Sequence, residues 1–207
     1  MPDPGLDKAY ALQTPQDNLD LYRDWAQTYD QSFAVEHGYV LPLRVAETFQ
    51  SAGGTGPVLD LGAGTGLCAA ALQQMGIGPL DATDLSQEML DVAAQKGIYR
   101  RLFTGNMLER LPVDDGTYAG AVSSGTFTHG HVGPEALHEV VRLLRSGGLC
   151  AISVNAAHYE ARGFAATLSA MGPAIQDLGQ TEVAIYDESA TGDHARDRAL
   201  VVHFRKT

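Results

Sequence analysis

The chain has 207 residues, of which 44% are hydrophobic, which is enough to bury the core of one domain without disulfides or a metal. Asp and Glu total 25 against 14 Lys and Arg, and the resulting net charge of −11 argues against nucleic acid as a partner. The first residues lack the pattern of a signal peptide, and no apolar run is long enough to cross a bilayer. We therefore expect a cytoplasmic protein that does not bind a membrane. Cys68 and Cys150 show no zinc-type spacing, and we expect them to be buried free thiols.

The amino-terminal quarter of the chain is predicted to be helical. Apolar residues recur at helical spacing in residues 19–29, which predicts a short amphipathic helix. Residues 42–50 predict a second helix, and the cluster of Gly and Pro that follows would end it.

Strand and helix patterns alternate from residue 57 onward, as is typical of α/β proteins with a parallel sheet. The predicted strands are residues 58–61, 80–84, 101–104, 118–124 and 149–154, and the predicted helices are 67–75, 87–96, 134–144 and 163–171. Two further strand-like runs, 181–186 and 200–205, predict an antiparallel hairpin at the edge of the sheet. The predicted fold is therefore α/β, with a doubly wound, seven-stranded, mostly parallel sheet.

A glycine-rich loop links the first predicted strand to the helix after it. Glycine lets the backbone turn tightly and approach a ligand, and the first N–H groups of the helix can hold a carboxylate or phosphate. A strand-to-helix turn without a ligand is the alternative. The candidate binding residues here are Asp60, Gly62, Ala63, Gly64, Thr65 and Gly66.

This loop resembles the first motif of the class I S-adenosylmethionine-dependent methyltransferases, in which an acid and one further residue precede G-x-G-x-G. The resemblance implies a Rossmann-like methyltransferase fold, S-adenosylmethionine as cofactor and S-adenosylhomocysteine as product. The dinucleotide fingerprint of NAD-type oxidoreductases would require glycine at Leu67, so that class is a less favoured alternative.

Further residues follow in the order that the family requires. Asp84 ends the second strand, where its carboxylate could accept both ribose hydroxyl protons; a solvated or helix-capping Asp is the alternative. Leu85 and Met89 are candidate walls for the adenine, although Met89 could be ordinary core. Asn106, followed by Met107, stands where the family usually has an acid that bonds the adenine amino group, and an amide could both accept and donate there.

The segment after the fourth strand should border the transferred methyl group, because ligands bind beyond the strand ends where the winding of a sheet reverses. It contains Ser123, a candidate cofactor contact, and the candidate catalytic residues His129 and His131. Either imidazole could serve as a base or orient a substrate. Histidines bonded only to backbone or water, or a metal-binding His-x-His pair without an identified third ligand, are the alternatives. The segment resembles the methyltransferase-like branch that includes the protein from the Williams–Beuren region.

Residues 25–30 resemble the W/Y-A-x-x-Y-D stretch of many small-molecule methyltransferases, which forms a lid over cofactor and substrate. The resemblance implies that Tyr29 could bond the methionine carboxylate, and that His37 and Tyr39 could reach the acceptor cleft. Aromatic residues that only pack against the sheet are the alternative.

These observations predict one methyltransferase domain over residues 1–207, with a helical lid in residues 1–50 and a cofactor-binding α/β core in residues 57–207. The predicted function is methyl transfer from S-adenosylmethionine to a small-molecule acceptor. A non-catalytic S-adenosylmethionine-binding module is the alternative, since a fold does not prove turnover. The sequence leaves the methylated atom and the oligomeric state open, and no metal site is expected.

Overall fold

The computed structural model describes residues 26, 28–128 and 132–207, apart from the side chains of residues 31–33. A π-helical segment, Tyr29–Val35, comes first. The helices are α1 (Leu41–Ser51), α2 (Leu67–Gln74), α3 (Gln87–Gln95), α4 (Leu137–Leu143, after a 3₁₀ turn at Pro134–Ala136), α5 (Ala156–Ala161) and α6 (Phe164–Ala170). The strands are β1 (Val58–Leu61), β2 (Leu80–Asp84), β3 (Tyr99–Thr104), β4 (Tyr118–Phe127), β5 (Leu144–Asn155), β6 (Ile175–Ala184) and β7 (Arg198–Lys206).

Seven strands of the described chain form one sheet in the order β3-β2-β1-β4-β5-β7-β6. The strands from β1 to β5 pair in parallel, and β7 pairs antiparallel with both β5 and β6. The winding reverses between β1 and β4, which creates a crevice at their carboxyl ends. The predicted fold class, a mostly parallel doubly wound sheet with an antiparallel edge hairpin, is confirmed.

The helices near this crevice start and stop at local sequence signals. Helix α1 has Pro42 in its first turn and buries an apolar face that includes Val45 and Phe49. Helix α2 begins after Gly66, whose φ of 89° is in the left-handed region. At the start of α3, the Ser86 hydroxyl accepts a hydrogen bond from the Met89 N–H at 3.2 Å.

Several predicted boundaries after β4 need correction. The helix predicted for residues 134–144 begins as the 3₁₀ turn and ends at Leu143. The strand predicted for residues 149–154 already starts at Leu144, and its register with β4 shifts between Tyr118 and Gly120. The Gly-containing turn expected before that strand is therefore an exposed bulge within β5.

The sequence prediction also lacks helix α5. The Asn155 side chain starts this helix by accepting hydrogen bonds from the N–H groups of Ala157 and His158, at 3.1 and 3.2 Å. The first hairpin strand, predicted for residues 181–186, already begins at Ile175 as β6. β6 is an edge strand, and most of its residues are polar and exposed. Its sequence therefore lacks the alternation of apolar and polar residues that predicts a strand.

The two faces of the sheet carry separate apolar cores. One core includes Leu61, Ile152 and Phe204, and the other includes Phe49 of α1 and Leu72 of α2. The two cysteines, Cys68 and Cys150, are buried free thiols as expected.

The amino-terminal helix predicted for residues 19–29 falls almost entirely outside the described residues. In the part that the structure describes, no helix is long and apolar enough to span a membrane.

Candidate active site

A cleft opens at the carboxyl ends of β1, β2 and β4, where the winding of the sheet reverses. The cleft and its open mouth comprise about 1070 Å³, which suits a ligand of cofactor size. Of the predicted site residues, those that line it are Tyr29, Asp60, Gly62, Ala63, Gly64, Thr65, Asp84, Leu85, Met89, Asn106 and Met107.

The glycine loop forms the floor of the cleft through backbone that only glycine adopts without strain. Gly62 and Gly64 have φ values of 63° and 54°. A Cβ atom on Gly62 would lie 2.2 Å from Thr126 Oγ1, so β1 and the end of β4 meet closely here. A Cβ atom on Gly64 would meet nothing within 4 Å, so this residue leaves backbone open to the cleft. Gly66 instead packs against the Tyr99 ring and is not a lining residue.

The Asp84 carboxylate ties this loop to the end of β2. Its Oδ2 accepts a hydrogen bond from the Gly64 N–H at 2.8 Å, and its Oδ1 accepts one from the Ser86 N–H at 2.9 Å. Burial raises the pKa of Asp84, and backbone donors from Ser86, Gly64 and Leu85 partly counteract that rise. A carboxylate has about four acceptor positions, so these three donors still leave capacity for a ribose hydroxyl.

Asp60 is more deeply buried than Asp84, with 1% of its surface exposed. Its Oδ2 accepts a hydrogen bond from the Tyr99 hydroxyl at 2.8 Å. Burial raises the pKa of Asp60 to about 7; the Tyr99 and Ala69 donors lower it, while the Asp84 charge raises it further. The Ala69 N–H belongs to the first turn of α2. Asp60 therefore accepts a hydrogen bond from one of the helix N–H groups that were predicted from the sequence to bind a ligand.

Two acidic side chains in one cleft favour a ligand that carries positive charge. S-adenosylmethionine has a sulfonium and an ammonium group, and its ribose needs the acceptor that Asp84 offers. The chemistry of the residues present therefore fits this cofactor.

The opposite end of the cleft is more apolar. The Leu85 side chain is 39% exposed, whereas Met89 and Met107 are buried at 2% and 6% and still contribute to the lining. Met89 is therefore both core and wall, and the two interpretations from sequence are compatible.

The Asn106 side chain makes local hydrogen bonds at this apolar end. Its oxygen accepts from the Leu108 N–H at 3.0 Å, and its amide donates to Glu109 at 3.1 Å. The carbonyl oxygen and the NH2 group of the Asn106 side chain thus already have partners within the loop. To bind adenine, Asn106 would have to form additional hydrogen bonds or give up the present ones.

The end of β4 supplies residues that the sequence prediction missed. Ser123 is fully buried and donates to the Leu61 carbonyl at 2.7 Å; it joins β4 to β1 and is not a lining residue. The next residues, Ser124, Gly125 and Thr126, line the cleft, where the register between β4 and β5 shifts. The sequence prediction placed this segment at the end of the fourth strand and therefore near the ligand. It could not predict which of its side chains face the cleft.

Residues 29–40, which we call the covering segment, precede α1 and border the cleft through Tyr29 and Tyr39, and Asp30 holds them in place. This carboxylate accepts a hydrogen bond from the Thr65 hydroxyl of the glycine loop. It also forms an ion pair with Lys96 at the end of α3, at 2.6 Å. Tyr29 beside it lines the cleft, while Trp25 lies outside the described residues, and the lid remains a prediction.

The candidate catalytic residues His129 and His131 lie outside the described residues. Val132 follows them in the sequence and lines the cleft, and its carbonyl lies 3.0 Å from His158 Nε2. His158 is buried, and its ring packs against Phe164 with ring centroids 5.6 Å apart. No group of three His, Cys, Asp or Glu side chains is placed for a metal ion within the described part of the chain.

Comparison with known proteins shows that the chain is similar to methyltransferases. Residues 58–148 match the family described as a methyltransferase domain. The chain is 32% identical over 151 residues to human (Homo sapiens) methyltransferase-like protein 27, covering 70% of this chain and 60% of that protein. It is 30% identical over 135 residues to the demethylmenaquinone methyltransferase of Clavibacter sepedonicus, covering 63% of this chain and 55% of that protein. The chain thus spans less than two thirds of the length of these relatives.

The fold also matches solved structures. A TehB-like SAM-dependent methyltransferase from Corynebacterium glutamicum superposes with a TM-score of 0.63, covering 90% of this chain and 98% of that one. The two sequences are 20% identical, so this likeness concerns the fold alone.

Proposed function

We propose that this chain, which belongs to the class I S-adenosylmethionine-dependent methyltransferase family, transfers a methyl group from S-adenosylmethionine to a small-molecule acceptor. The family and the fold imply S-adenosylmethionine as the cofactor. The observation that carries the proposal is Asp84, whose carboxylate binds the glycine loop, borders the cleft and keeps acceptor capacity for a ribose.

Each end of the cleft would hold one part of the cofactor. Asp84 would hold the ribose hydroxyls, and Leu85 and Met89 would contact the adenine. The backbone around Gly64 and the carboxyl of Asp60 would lie at the methionine end, with Tyr29 of the covering segment above it.

The cofactor supplies a methyl group on a positively charged sulfur, which makes the methyl carbon electrophilic. The protein's contribution would be to align the acceptor with that carbon and to exclude water, which can provide most of the acceleration. The Asp30 contacts to Thr65 and Lys96 would close the covering segment over the cleft. If the acceptor arrives protonated, His129 or His131 would remove the proton.

A small-molecule acceptor is supported by the covering segment, whose Tyr29 and Tyr39 line the cleft, and by one relative whose name specifies demethylmenaquinone. A panel of acceptors should therefore include ring compounds as well as amines and thiols. Formation of S-adenosylhomocysteine with any of them would demonstrate transfer. Tight cofactor binding without product from any acceptor would favour the non-catalytic module.

Cofactor choice is tested by calorimetry. We expect S-adenosylmethionine and S-adenosylhomocysteine to bind and NAD not to bind comparably; binding of NAD alone would contradict the proposal.

The role of Asp84 is tested by the Asp84→Asn variant. In this variant an NH2 group replaces one carboxylate oxygen, and this donor would face a backbone N–H or a ribose hydroxyl. The loss of a charged hydrogen bond should weaken S-adenosylhomocysteine binding by roughly 1.5–3 kcal/mol, about 10- to 150-fold.

The matched control is Asp91→Asn. Asp91 is an exposed aspartate on α3 that accepts a hydrogen bond from Gln87 at 2.8 Å. Its replacement should leave the dissociation constant unchanged. Equal dissociation constants for the wild type and Asp84→Asn would remove Asp84 from the site.

A further inference from the structure

Tyr39 lies just before α1, and its side chain lines the cleft beside the end of β4. A Cβ atom on Gly125 would lie 2.5 Å from the Tyr39 hydroxyl oxygen, so the phenol rests directly on this glycine. Gly125 has a φ of 79°, and its N–H donates to Ser153 at 3.0 Å. The absence of a side chain at Gly125 thus makes room for the Tyr39 hydroxyl.

The backbone of Tyr39 is held by the segment that follows β6. Tyr39 forms an isolated antiparallel bridge with Tyr186. The Val40 N–H donates to the Ile185 carbonyl at 3.0 Å, and the Asp187 N–H donates to the Gly38 carbonyl at 2.8 Å. The rings of Tyr39 and Tyr186 pack with centroids 5.8 Å apart. The phenol is therefore positioned by rigid elements, as a ligand-contacting group requires.

The Tyr39 phenol is a hydrogen-bond donor at physiological pH. Burial raises the pKa of Tyr39 to about 12, and the neighbouring Ser124 hydroxyl partly offsets this rise. A phenol in this state does not act as a base. A protonated phenol can donate a hydrogen bond to an oxygen atom of a ligand.

Most residues that line the cleft together with Tyr39 are uncharged, and the acidic members of the lining are Asp60 and Asp84. Carbon and sulfur atoms come from Pro42, Cys68 and Val132, and burial keeps Cys68 as a thiol by raising its pKa. Ser124 and Thr126 add hydroxyl groups. Such a lining suits an apolar ligand that carries a hydrogen-bonding atom, because a charged ligand group would be poorly solvated there.

We propose that Tyr39 contacts the methyl acceptor and donates a hydrogen bond to an oxygen atom on an otherwise apolar, uncharged molecule. This inference rests on the proposed methyl transfer and names the class of acceptor. Tyr39 is a specificity-determining residue in this assignment, and it acts on acceptor binding rather than on cofactor binding.

The test uses two probes of similar shape on the protein saturated with S-adenosylhomocysteine. 2-Naphthol carries a hydroxyl where 2-methylnaphthalene carries a methyl group. A single neutral hydrogen bond should make the wild type prefer 2-naphthol by about 3- to 10-fold in dissociation constant. Tyr39→Phe keeps the ring and should remove most of this preference, while its affinity for S-adenosylhomocysteine stays within about twofold of the wild type.

Tyr186→Phe is the matched control, because it makes the same change on the neighbouring ring, which is buried and does not line the cleft. It should retain the preference for 2-naphthol. A second measurement needs no substitution: the ring NMR signals of Tyr39 in the wild type should shift more with 2-naphthol than with 2-methylnaphthalene.

The outcomes separate this inference from the function beneath it. If the wild type does not bind S-adenosylhomocysteine, the proposed function fails and the inference falls with it. If the cofactor product binds but the wild type shows no preference for 2-naphthol, or Tyr39→Phe retains the preference, the inference alone is overturned. Equal NMR shifts with both probes would overturn it as well.

Discussion

Replacing Asp60 by Asn should change how the stability of the protein depends on pH. The Asp60 carboxyl is 1% exposed, and its pKa is raised from 3.8 to about 7, chiefly by burial. One pKa unit is worth about 1.4 kcal/mol, so the ionised carboxylate is less stable in the folded protein than in the unfolded chain by about 4 kcal/mol.

The sign follows from proton binding. Between pH 4 and pH 7 the folded protein keeps the Asp60 proton, whereas the unfolded chain releases it. Stability from this group is therefore fully present below about pH 4 and is lost as the pH rises through about 7. An asparagine side chain at this position has the same shape without the charge, so the Asp60→Asn variant should lack this loss.

The measurement is the free energy of unfolding by urea at pH values from 4 to 8. The wild type should lose about 4 kcal/mol relative to Asp60→Asn across this range, since the other titrating groups are common to both proteins. In Tyr99→Phe, loss of the hydroxyl that donates to Asp60 at 2.8 Å should raise the Asp60 pKa further, which enlarges the loss of stability and extends it to higher pH. Parallel curves for the wild type and Asp60→Asn would refute the reasoning.

Three further predictions concern ligand binding and turnover. First, binding of the positively charged S-adenosylmethionine near pH 7 should release up to about half a proton from Asp60, measured by calorimetry in buffers of different ionisation enthalpy; proton release that persists in Asp60→Asn would contradict this source. Second, Asp30→Asn should weaken the ion pair with Lys96 and increase amide exchange in the π-helical segment, and S-adenosylhomocysteine should slow that exchange in the wild type. Exchange that is identical in both proteins, with and without ligand, would leave the segment a packing role only. Third, once an acceptor is known, His129→Ala or His131→Ala should lower kcat by about 10²–10⁴-fold if that residue is a general base, while cofactor affinity is retained. The rate of the wild type should then rise with pH through about 6.5, the ordinary pKa of histidine. Wild-type rates in both variants would leave alignment of the acceptor as the main source of catalysis.

The core of the fold and the glycine-loop end of the cleft were predictable because they depend on local signals. Buried strands such as Val58–Leu61 and Leu80–Asp84 are short apolar runs bounded by turn residues, and their bounds were predicted correctly. The ends of parallel strands meet at one edge of a sheet, so Asp84 was expected beside the glycine loop.

The side of the cleft that contains Tyr39 was harder to predict because its contacts are distant in sequence. Tyr39 is positioned by Tyr186, which belongs to the last quarter of the chain, and such a pairing has no local signal. Whether Ser123 or Ser124 faces the cleft depends on the irregular register between β4 and β5, which shifts beyond Ser123. The bond between Asp60 and Tyr99 likewise links two strands that are not neighbours in the sheet.

The place of β7 between β5 and β6 has a consequence for biosynthesis. While the ribosome is still making residues 198–206, β5 has no neighbour on one side and exposes an unpaired row of backbone N–H and C=O groups, a known risk for aggregation. The partner of Tyr39 is also made late, so the earliest-synthesised wall of the cleft must wait for one of the latest segments. We therefore expect nascent chains that stop before β6, and so lack both β7 and Tyr186, to show protease-resistant β1 to β4 but a protease-sensitive segment around Tyr39.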